Sequence, residues 1–314
     1  MAEGWLIPGL VDAHTHPGAT DPGDDFDEDL LREDLHQHVA AGVTLIRSPG
    51  LAGDPPAWFG CDEDVPRAVH AGPWIAQHGQ FIDGWGQKAT PEELPGIAAA
   101  QALRTGWVKL IADWGVGDPP LSVEVLRAVV LAVHAAGGRV AVHSQHEAGG
   151  VAAVEAKVDS LEHGMHLPDS LLTKMAEQGT ALTPTLSVFT SLMPEVAARP
   201  DSERKDWLLG GIAGHPNLVA AAAEAGVTLL AGTDRHPMGE VADEITALAE
   251  AGVPPDLALG AGSWGARTFL GYPGLVEGAP ADVVVYENDP RSTFSELKAP
   301  LAVVLRGQLA FRRT

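Results

Sequence analysis

The sequence predicts an α/β fold, a (β/α)8 TIM-like barrel followed by a small C-terminal β appendage that forms part of a β-sandwich. Short apolar runs, often rich in β-branched residues, alternate with amphipathic helical stretches, a pattern typical of parallel βαβ units. Eight such runs occur within roughly 250 residues, the usual size of a (β/α)8 barrel. An open doubly wound sheet is the alternative, but no glycine-rich phosphate-binding turn follows the first strand.

The eight strand candidates cover residues 5–11, 43–47, 74–77, 107–112, 139–142, 160–162, 181–187 and 227–231. The helices between them carry apolar residues at spacings of three and four and cover 28–41, 122–136, 169–178, 217–225 and 241–251. Several of these helices end at a glycine, which readily adopts the left-handed conformation that ends a helix.

The pattern changes from about residue 274 to strand, loop, strand, turn and strand, at 281–286, 301–305 and 308–312. The sequence therefore divides into a barrel at 1–273 and a small sandwich-like appendage at 274–314. The apolar face of the appendage has to be covered. We expect it to pack on the amino-terminal side of the barrel or to pair with a neighbouring subunit in a homo-oligomer.

Composition narrows the classes of function. Of the 314 residues, 45% are hydrophobic and 20% are charged, so the chain can bury a sizeable core. The 42 acidic and 20 basic side chains give a net charge of −22, which repels phosphate backbones, so we expect no nucleic-acid partner. No apolar run reaches the ~18–20 residues that span a bilayer, so we expect no membrane association. The single cysteine, Cys61, excludes an intrachain disulfide, and a cytoplasmic location is expected.

Polar side chains occur where several predicted strands end. His14 and His16 follow the first strand, and residues two apart on an extended chain point to the same side, so both imidazoles can reach one metal ion. Four further residues lie in or after later strands: Lys109, His143, His163 and Asp234. In a barrel all six side chains converge at the carboxyl ends of the strands, where barrel enzymes hold their active sites.

Each of these residues alone has a purely structural explanation. A histidine at a strand end is often a hydrogen-bonded packing residue, Lys109 could extend its ammonium to the rim, and Asp234 could cap a helix. The occurrence of all six at one end of a barrel favours a functional site.

The motifs around these residues resemble those of the amidohydrolase superfamily, most closely its imidazolonepropionase-like and prolidase-like branch. Pro-Gly-Leu-Val-Asp-Ala-His-Thr-His at 8–16 is similar to the opening metal motif of that superfamily. Val-Lys-Leu, Ala-Val-His-Ser, Ser-Leu-Glu-His-Gly and Ala-Gly-Thr-Asp match the later motifs in order, at 108–110, 141–144, 160–164 and 231–234. The resemblance extends from about Pro8 to Arg312.

The resemblance implies one or two divalent metal ions, usually Zn²⁺. By position, His14, His16 and Asp234 would hold the first ion. His143 and His163 would hold the second, and a carbamate formed from Lys109 and CO₂ would bridge the two. Asp234 would also act as the general acid and base.

Five residues near the predicted mouth are candidates for substrate contact. Arg47 ends the second strand, and His78 and Gln80 follow the third. Arg235 and His236 follow Asp234 and could steer a substrate carboxylate.

The function expected from the resemblance is hydrolysis of an amide-type C–N bond in a small molecule by a hydroxide at the metal centre. The substrate would be a dipeptide, an N-acyl amino acid, a lactam or a cyclic amide. Two alternatives remain open. One is an ester, lactone or carbamate hydrolase or a deaminase that uses the same centre, and the other is a non-catalytic barrel that binds a metal or a metabolite.

Overall fold

The structure, a computed structural model, describes residues 4–313. The strands are β1 (Trp5–Pro8), β2 (Leu10–Asp12), β3 (Val43–Ser48), β4 (Arg67–His70), β5 (Ile75–Gln77), β6 (Gln87–Ala89), β7 (Trp107–Ile111), β8 (Arg139–Ser144), β9 (Ser160–His163), β10 (Ala181–Thr183), β11 (Val283–Tyr286), β12 (Ala302–Leu305) and β13 (Gln308–Arg312). The helices are α1 (Glu28–Ala40), α2 (Leu94–Thr105), α3 (Val123–Ala135), α4 (Glu147–Ala156), α5 (Leu172–Gln178), α6 (Leu186–Ala198), α7 (Glu203–Glu224), α8 (Val241–Glu250), α9 (Pro255–Ala261) and α10 (Trp264–Leu270). Two 3-10 helices lie at Asp169–Leu171 and Phe294–Lys298.

Two parallel sheets form the large unit, one in the order β10-β9-β8-β7-β5-β6 and the other in the order β2-β3-β4. Residues 228–231 connect them on one side. The Leu182 amide donates to the Thr228 carbonyl at 2.9 Å, and the Ala13 amide donates to the Ala231 carbonyl at 2.8 Å. The predicted α/β fold with parallel strands is confirmed, and the arrangement is of the TIM-barrel type.

The small sheet is antiparallel and has the order β1-β11-β12-β13. Trp5 pairs with Tyr286 and Pro8 pairs with Val283. The expected single strand at 5–11 is therefore wrong, because the chain leaves the small sheet after Pro8 and enters the parallel sheet at Leu10. The small sheet draws on both ends of the chain and not on 274–314 alone.

Gly9 makes this change of sheet feasible. A Cβ at position 9 would lie 2.0 Å from the Thr44 hydroxyl oxygen, so the backbone can approach β3 only without a side chain. The Gly9 amide donates to the Asp282 carbonyl at 2.8 Å, which ties the junction to the small sheet.

The small sheet packs at the amino ends of β2 and β3. Val284, Tyr286, Val303 and Leu305 on its inner face are fully buried. Gly42, at the amino end of β3, has a φ of +89°, and a Cβ there would lie 3.2 Å from a methyl carbon of Val284. The inner face thus packs on the amino-terminal side of the parallel strands, one of the two arrangements expected from the sequence.

Other differences from the sequence prediction concern two helices that contain helix-breaking residues and the number and bounds of the strands. Helix α7 spans 22 residues, far more than the 217–225 expected, and it contains three glycines and Pro216 that hide its periodicity. The strand expected at 181–187 ends at Thr183, and α6 follows with Pro194 inside it. Strands β4 and β6 were not predicted.

In the part of the chain that the structure describes, no helix combines the length and apolar character needed to cross a membrane.

If β1 is an integral strand, Ile7→Ala should lower the free energy of unfolding by about 2–5 kcal/mol, the usual range for a buried isoleucine. Ile7 is 9% exposed and packs in the core, whereas its neighbour Leu6 is 51% exposed. Leu6→Ala is the matched control and should change stability by about 0.5 kcal/mol or less. Urea unfolding followed by tryptophan fluorescence measures both. Equal losses in the two variants would contradict the assignment of β1.

Candidate active site

One cavity of about 350 Å³ collects the candidate metal residues. It lies at the carboxyl ends of the parallel strands, and its lining includes His14, His16, Lys109, His143, His163 and Asp234. The structure thus brings together all six candidate metal residues that the sequence predicts to converge.

His14, His16 and Asp234 form the tightest group in this cavity. The His16 Nε2 lies 3.2 Å from Asp234 Oδ1, and the His14 Nε2 lies 3.6 Å from the same oxygen. Their candidate ligand atoms are all within 4.8 Å of one another. Two imidazole nitrogens and a carboxylate oxygen are a donor set that divalent ions such as Zn²⁺ accept. The residues present therefore fit a divalent ion.

The other ring nitrogens of the two histidines are held by fixed partners. The His14 Nδ1 lies 2.7 Å from a carboxylate oxygen of Glu162, and the His16 Nδ1 lies 2.6 Å from the Gly50 carbonyl oxygen. A ring that donates from Nδ1 keeps the Nε2 lone pair free to bind a metal. Burial lowers the pKa of His14 well below its ordinary value, which favours the neutral form that a ligand needs.

Lys109, His143 and His163 surround this group. The His143 and His163 ring centroids are 4.6 Å apart, and the His163 Nδ1 lies 2.8 Å from the Thr185 hydroxyl oxygen. Lys109 is 1% exposed in β7, and burial lowers the pKa of its amine to about 8. Within residues 4–313, the one group of three candidate ligands at metal-binding distances is His14, His16 and Asp234.

The backbone is strained at three positions in and beside the cavity. His163, Thr185 and Asp234 have φ values of 65°, 53° and 51°, in the left-handed region that residues other than glycine rarely adopt. The Asp234 amide donates to the His14 carbonyl at 2.8 Å, which holds one of these positions. Such conformations cost about 1–3 kcal/mol each and cluster at functional sites.

A buried ion pair between Arg47 and Glu162 lies beside the candidate site, in the interior of the fold. One Arg47 amino nitrogen donates to both carboxylate oxygens of Glu162, at 2.9 and 2.8 Å. The Arg47 Nε donates to the Ala13 carbonyl at 2.6 Å, and its other amino nitrogen donates to the Ser160 hydroxyl at 3.1 Å. The expectation that Arg47 faces the mouth and contacts substrate is therefore wrong, because its guanidinium turns inward to the carboxylate of Glu162.

Asp12 joins the two segments that carry the metal candidates. Its carboxylate accepts from the Thr233 amide at 3.1 Å, from the Thr233 hydroxyl at 2.7 Å and from the His14 amide at 3.1 Å. Burial raises the pKa of Asp12 to about 6. Neither Asp12 nor Glu162 is among the candidate residues predicted from the sequence, although their positions, two before His14 and one before His163, are a signal in the sequence.

The remaining candidates for substrate contact separate into two pairs. His78 and Gln80 lie outside the cavity lining, and the Gln80 side-chain amide donates to the Pro119 carbonyl at 2.8 Å. The expectation that Gln80 faces the mouth is wrong, because its side chain is bonded to the Pro119 carbonyl, and contact of His78 with substrate stays a prediction. Arg235 and His236 do line the cavity.

One wall of the cavity is formed by α6, which contributes Val188, Phe189 and Leu192. Glu244 of α8 holds the start of this helix, accepting from the Leu186 amide at 2.9 Å and from the Ser187 amide at 2.7 Å. Burial raises the pKa of Glu244 to about 7. The lining also contains four further aromatic residues that were not expected from the sequence, Trp74, Phe81, Trp85 and Trp114.

The TIM-barrel-type fold, with two histidines and an aspartate close together at one end of its strands, is an arrangement that can hold a divalent ion, and comparison with known proteins identifies the family. The model of the amidohydrolase family matches residues 5–310, so the chain belongs to the amidohydrolase family. An uncharacterized protein of Mycobacterium tuberculosis is 38% identical over 323 residues, covering 97% of this chain and 85% of that protein.

Two further relatives carry names that describe a reaction. Ochratoxinase from Aspergillus niger is 29% identical over 209 residues, covering 62% of this chain and 44% of that enzyme. Its crystal structure has a TM-score of 0.81 at 23% identity, covering 98% of this chain and 83% of the other. The crystal structure of a putative prolidase from Bifidobacterium longum has a TM-score of 0.81 at 27% identity, covering 98% of this chain and 81% of the other.

Replacement of Glu162 should weaken metal binding without touching a metal ligand. In Glu162→Gln the neutral amide no longer holds the His14 ring as a charged acceptor, so we expect Zn²⁺ affinity to fall about 10–100-fold. Titration with a competing chelator measures this. Glu155→Gln, which removes a partly exposed partner of Lys174, is the control and should leave affinity unchanged. Unaltered Zn²⁺ affinity in Glu162→Gln would show that the His14 ring does not depend on this contact.

Proposed function

We propose that this protein is a metal-dependent hydrolase that cleaves an amide-type C–N bond in a small molecule. The observation that carries the proposal is the convergence of the His14 and His16 Nε2 atoms on one oxygen of Asp234, at 3.6 and 3.2 Å, inside a cavity large enough for a substrate. Membership of the amidohydrolase family and the names of the ochratoxinase and prolidase relatives support the type of bond.

The proposal extends to the architecture and to the metal content. The hydrogen bonds of residues 228–231 to β10 on one side and to Ala13 on the other join the two parallel sheets at one junction and support the closed barrel that the sequence predicts. His14, His16 and Asp234 would hold one divalent ion, most simply Zn²⁺, and His143 and His163 would hold a second.

Lys109 would join the two ions as a carbamate. A free ammonium buried beside two cations would be repelled by both. The ammonium loses one proton to give the neutral amine, and the amine nitrogen then bonds to the carbon of CO₂ with loss of a second proton. The resulting carbamate would carry a negative charge and two oxygen atoms able to bind divalent ions.

Asp234 is the residue of this chain that moves the proton. A divalent ion, when bound, supplies hydroxide from water at neutral pH and polarises the carbonyl that is attacked. Asp234 accepts the proton of the attacking water on its carboxylate and delivers it to the departing nitrogen. The contact of its Oδ1 with His16 fixes the carboxylate for this transfer.

The function is tested on the purified protein with a panel of dipeptides, N-acyl amino acids, cyclic amides and lactones, with added Zn²⁺ or Mn²⁺. We expect hydrolysis of an amide, and loss of that activity with a chelator. Asp234→Asn should then reduce kcat at least ~10²-fold while most of the metal remains, because the amide oxygen still binds the ion whereas the amide cannot accept a proton. Asp201→Asn, at a 98% exposed carboxylate, is the control. Turnover of lactones alone would contradict the assignment to C–N bonds.

Lys109→Ala should lose both metal and rate. If a carbamate at this position binds the ions, acetate or another short carboxylic acid should restore part of the activity by replacing the missing oxygens. Lys174→Ala, at a partly exposed lysine paired with Glu155, should leave both properties unchanged. Metal analysis of the dialysed proteins and rates with and without acetate are the measurements. Retention of two ions with full activity in Lys109→Ala would contradict a bridging role.

A further inference from the structure

We propose that the cavity contains a preformed subsite for a planar, uncharged aromatic group of the substrate, built by Trp74, Phe81, Trp85 and Trp114. The inference rests on the proposed hydrolase function and narrows its substrate class. It favours aromatic amides without a carboxylate over dipeptides and N-acyl amino acids.

The four rings form a continuous wall. Trp74 and Trp85 are stacked, with centroids 4.7 Å apart and planes 9° from parallel. The Phe81 centroid lies 5.3 Å from that of Trp74 and 4.9 Å from that of Trp114, the second contact being edge to face. Aromatic rings at these separations attract a further ring that stacks or meets them edge-on.

Two rings of this wall lie next to candidate metal ligands. The Trp74 ring centroid lies 5.0 Å from that of His16, and the Trp114 centroid lies 5.4 Å from that of His143. An aromatic group resting on the wall would therefore place an amide attached to it next to the residues proposed to hold the ions.

The wall is held in place before any substrate binds. Phe81 has a φ of +66°, which is strained for a bulky side chain. The Lys88 ammonium stabilises this turn because it donates to the carbonyls on either side of Phe81, those of Gln80 at 2.7 Å and Ile82 at 3.1 Å. The Trp85 Nε1 donates to the Asp24 carbonyl at 2.7 Å. A prearranged site avoids the cost of ordering these side chains on binding.

The charges around the wall disfavour a substrate carboxylate. Lys109 and Arg235 are the only lysine and arginine among the described lining residues, and Lys109 is buried at the proposed ion site. One amino nitrogen of Arg235 pairs with two carboxylates, Glu240 at 2.5 Å and Asp243 at 3.3 Å, whereas its buried Nε has no hydrogen-bond partner. The Lys88 ammonium lies 5.0 Å from the Phe81 ring centroid and donates to two backbone carbonyls. A carboxylate at the far end of an aromatic substrate would lose water while approaching a guanidinium whose charge two carboxylates already offset.

His236 does not provide a further partner for a substrate carboxylate. Its Nε2 lies 2.8 Å from the Ala19 carbonyl oxygen, and its Nδ1 faces the buried Asp34 carboxylate at 3.8 Å. Both nitrogens are thus directed to acceptors of the protein itself.

The test compares three probes that share a carboxamide: 2-naphthamide, its saturated counterpart decahydronaphthalene-2-carboxamide, and 6-carbamoyl-2-naphthoate, which adds a carboxylate at the far edge of the ring. Their affinities for the Zn²⁺-loaded protein are measured by calorimetry. We expect 2-naphthamide to bind at least ten times more tightly than either of the others. Equal affinities, or a preference for the saturated or the carboxylate probe, would overturn the proposal.

Variants locate the binding site. Trp114, which is 37% exposed, can be truncated with little effect on folding, and Trp114→Ala should reduce 2-naphthamide affinity at least fivefold. Phe81→Ala is the second variant and should act in the same way. Trp5→Ala removes a 46% exposed tryptophan of the small sheet, outside the cavity, and should leave affinity unchanged. Unchanged affinity in both cavity variants would overturn the proposal.

Binding of these probes does not require turnover. A protein that binds 2-naphthamide selectively but hydrolyses no amide would retain the subsite and refute the proposed hydrolase. A protein that hydrolyses amides but shows no preference among the probes would retain the hydrolase and refute the subsite.

Discussion

The buried pair of Arg47 and Glu162 is the interaction on which both the fold and the site depend. Two charges removed from water are stabilising only when each is fully paired, and removal of one partner leaves the other without compensation. Here the guanidinium reaches Ala13, Ser160 and the carboxylate of Glu162, so that β3, β9 and the segment directly after β2 are joined inside the parallel sheets. The same carboxylate orients the ring of His14. The orientation of the His14 ring in the candidate site therefore depends on an interaction in the core of the barrel-type fold. A change in this core interaction would also change the candidate metal site.

The parts of the site that could be predicted from the sequence are those determined by position along a strand. His14 and His16 lie two residues apart after β2, and parallel strands bring their carboxyl ends to one edge, so convergence follows from topology alone. Contacts made by long side chains could not be predicted in this way. Arg47 also lies at the end of a strand, but its direction is decided by Glu162, a partner more than a hundred residues away. The loop that carries Phe81 depends on a lysine holding two backbone carbonyls, and no periodic pattern records such a contact.

The small sheet also has features that follow from the local sequence and features that depend on distant residues. Strands β11, β12 and β13 were expected because each is a short apolar run bounded by turn residues. The apolar residues from Trp5 to Val11 predict one strand, because hydrophobicity alone does not show which sheet a residue joins. The division after Pro8 is set by pairing with Val283, almost the whole chain away, and by the close approach of Gly9 to Thr44.

This pairing of distant segments has a consequence for biosynthesis. Strand β1 is translated long before its hydrogen-bonding neighbour β11, because Pro8 and Val283 belong to the same ladder. Until then the strand just before the segment with His14 and His16 has no partner in its sheet. A nascent chain that has not yet reached β11 therefore holds β1 without its ladder partner, next to the segment that carries His14 and His16. Formation of the small sheet has to wait for the synthesis of β11.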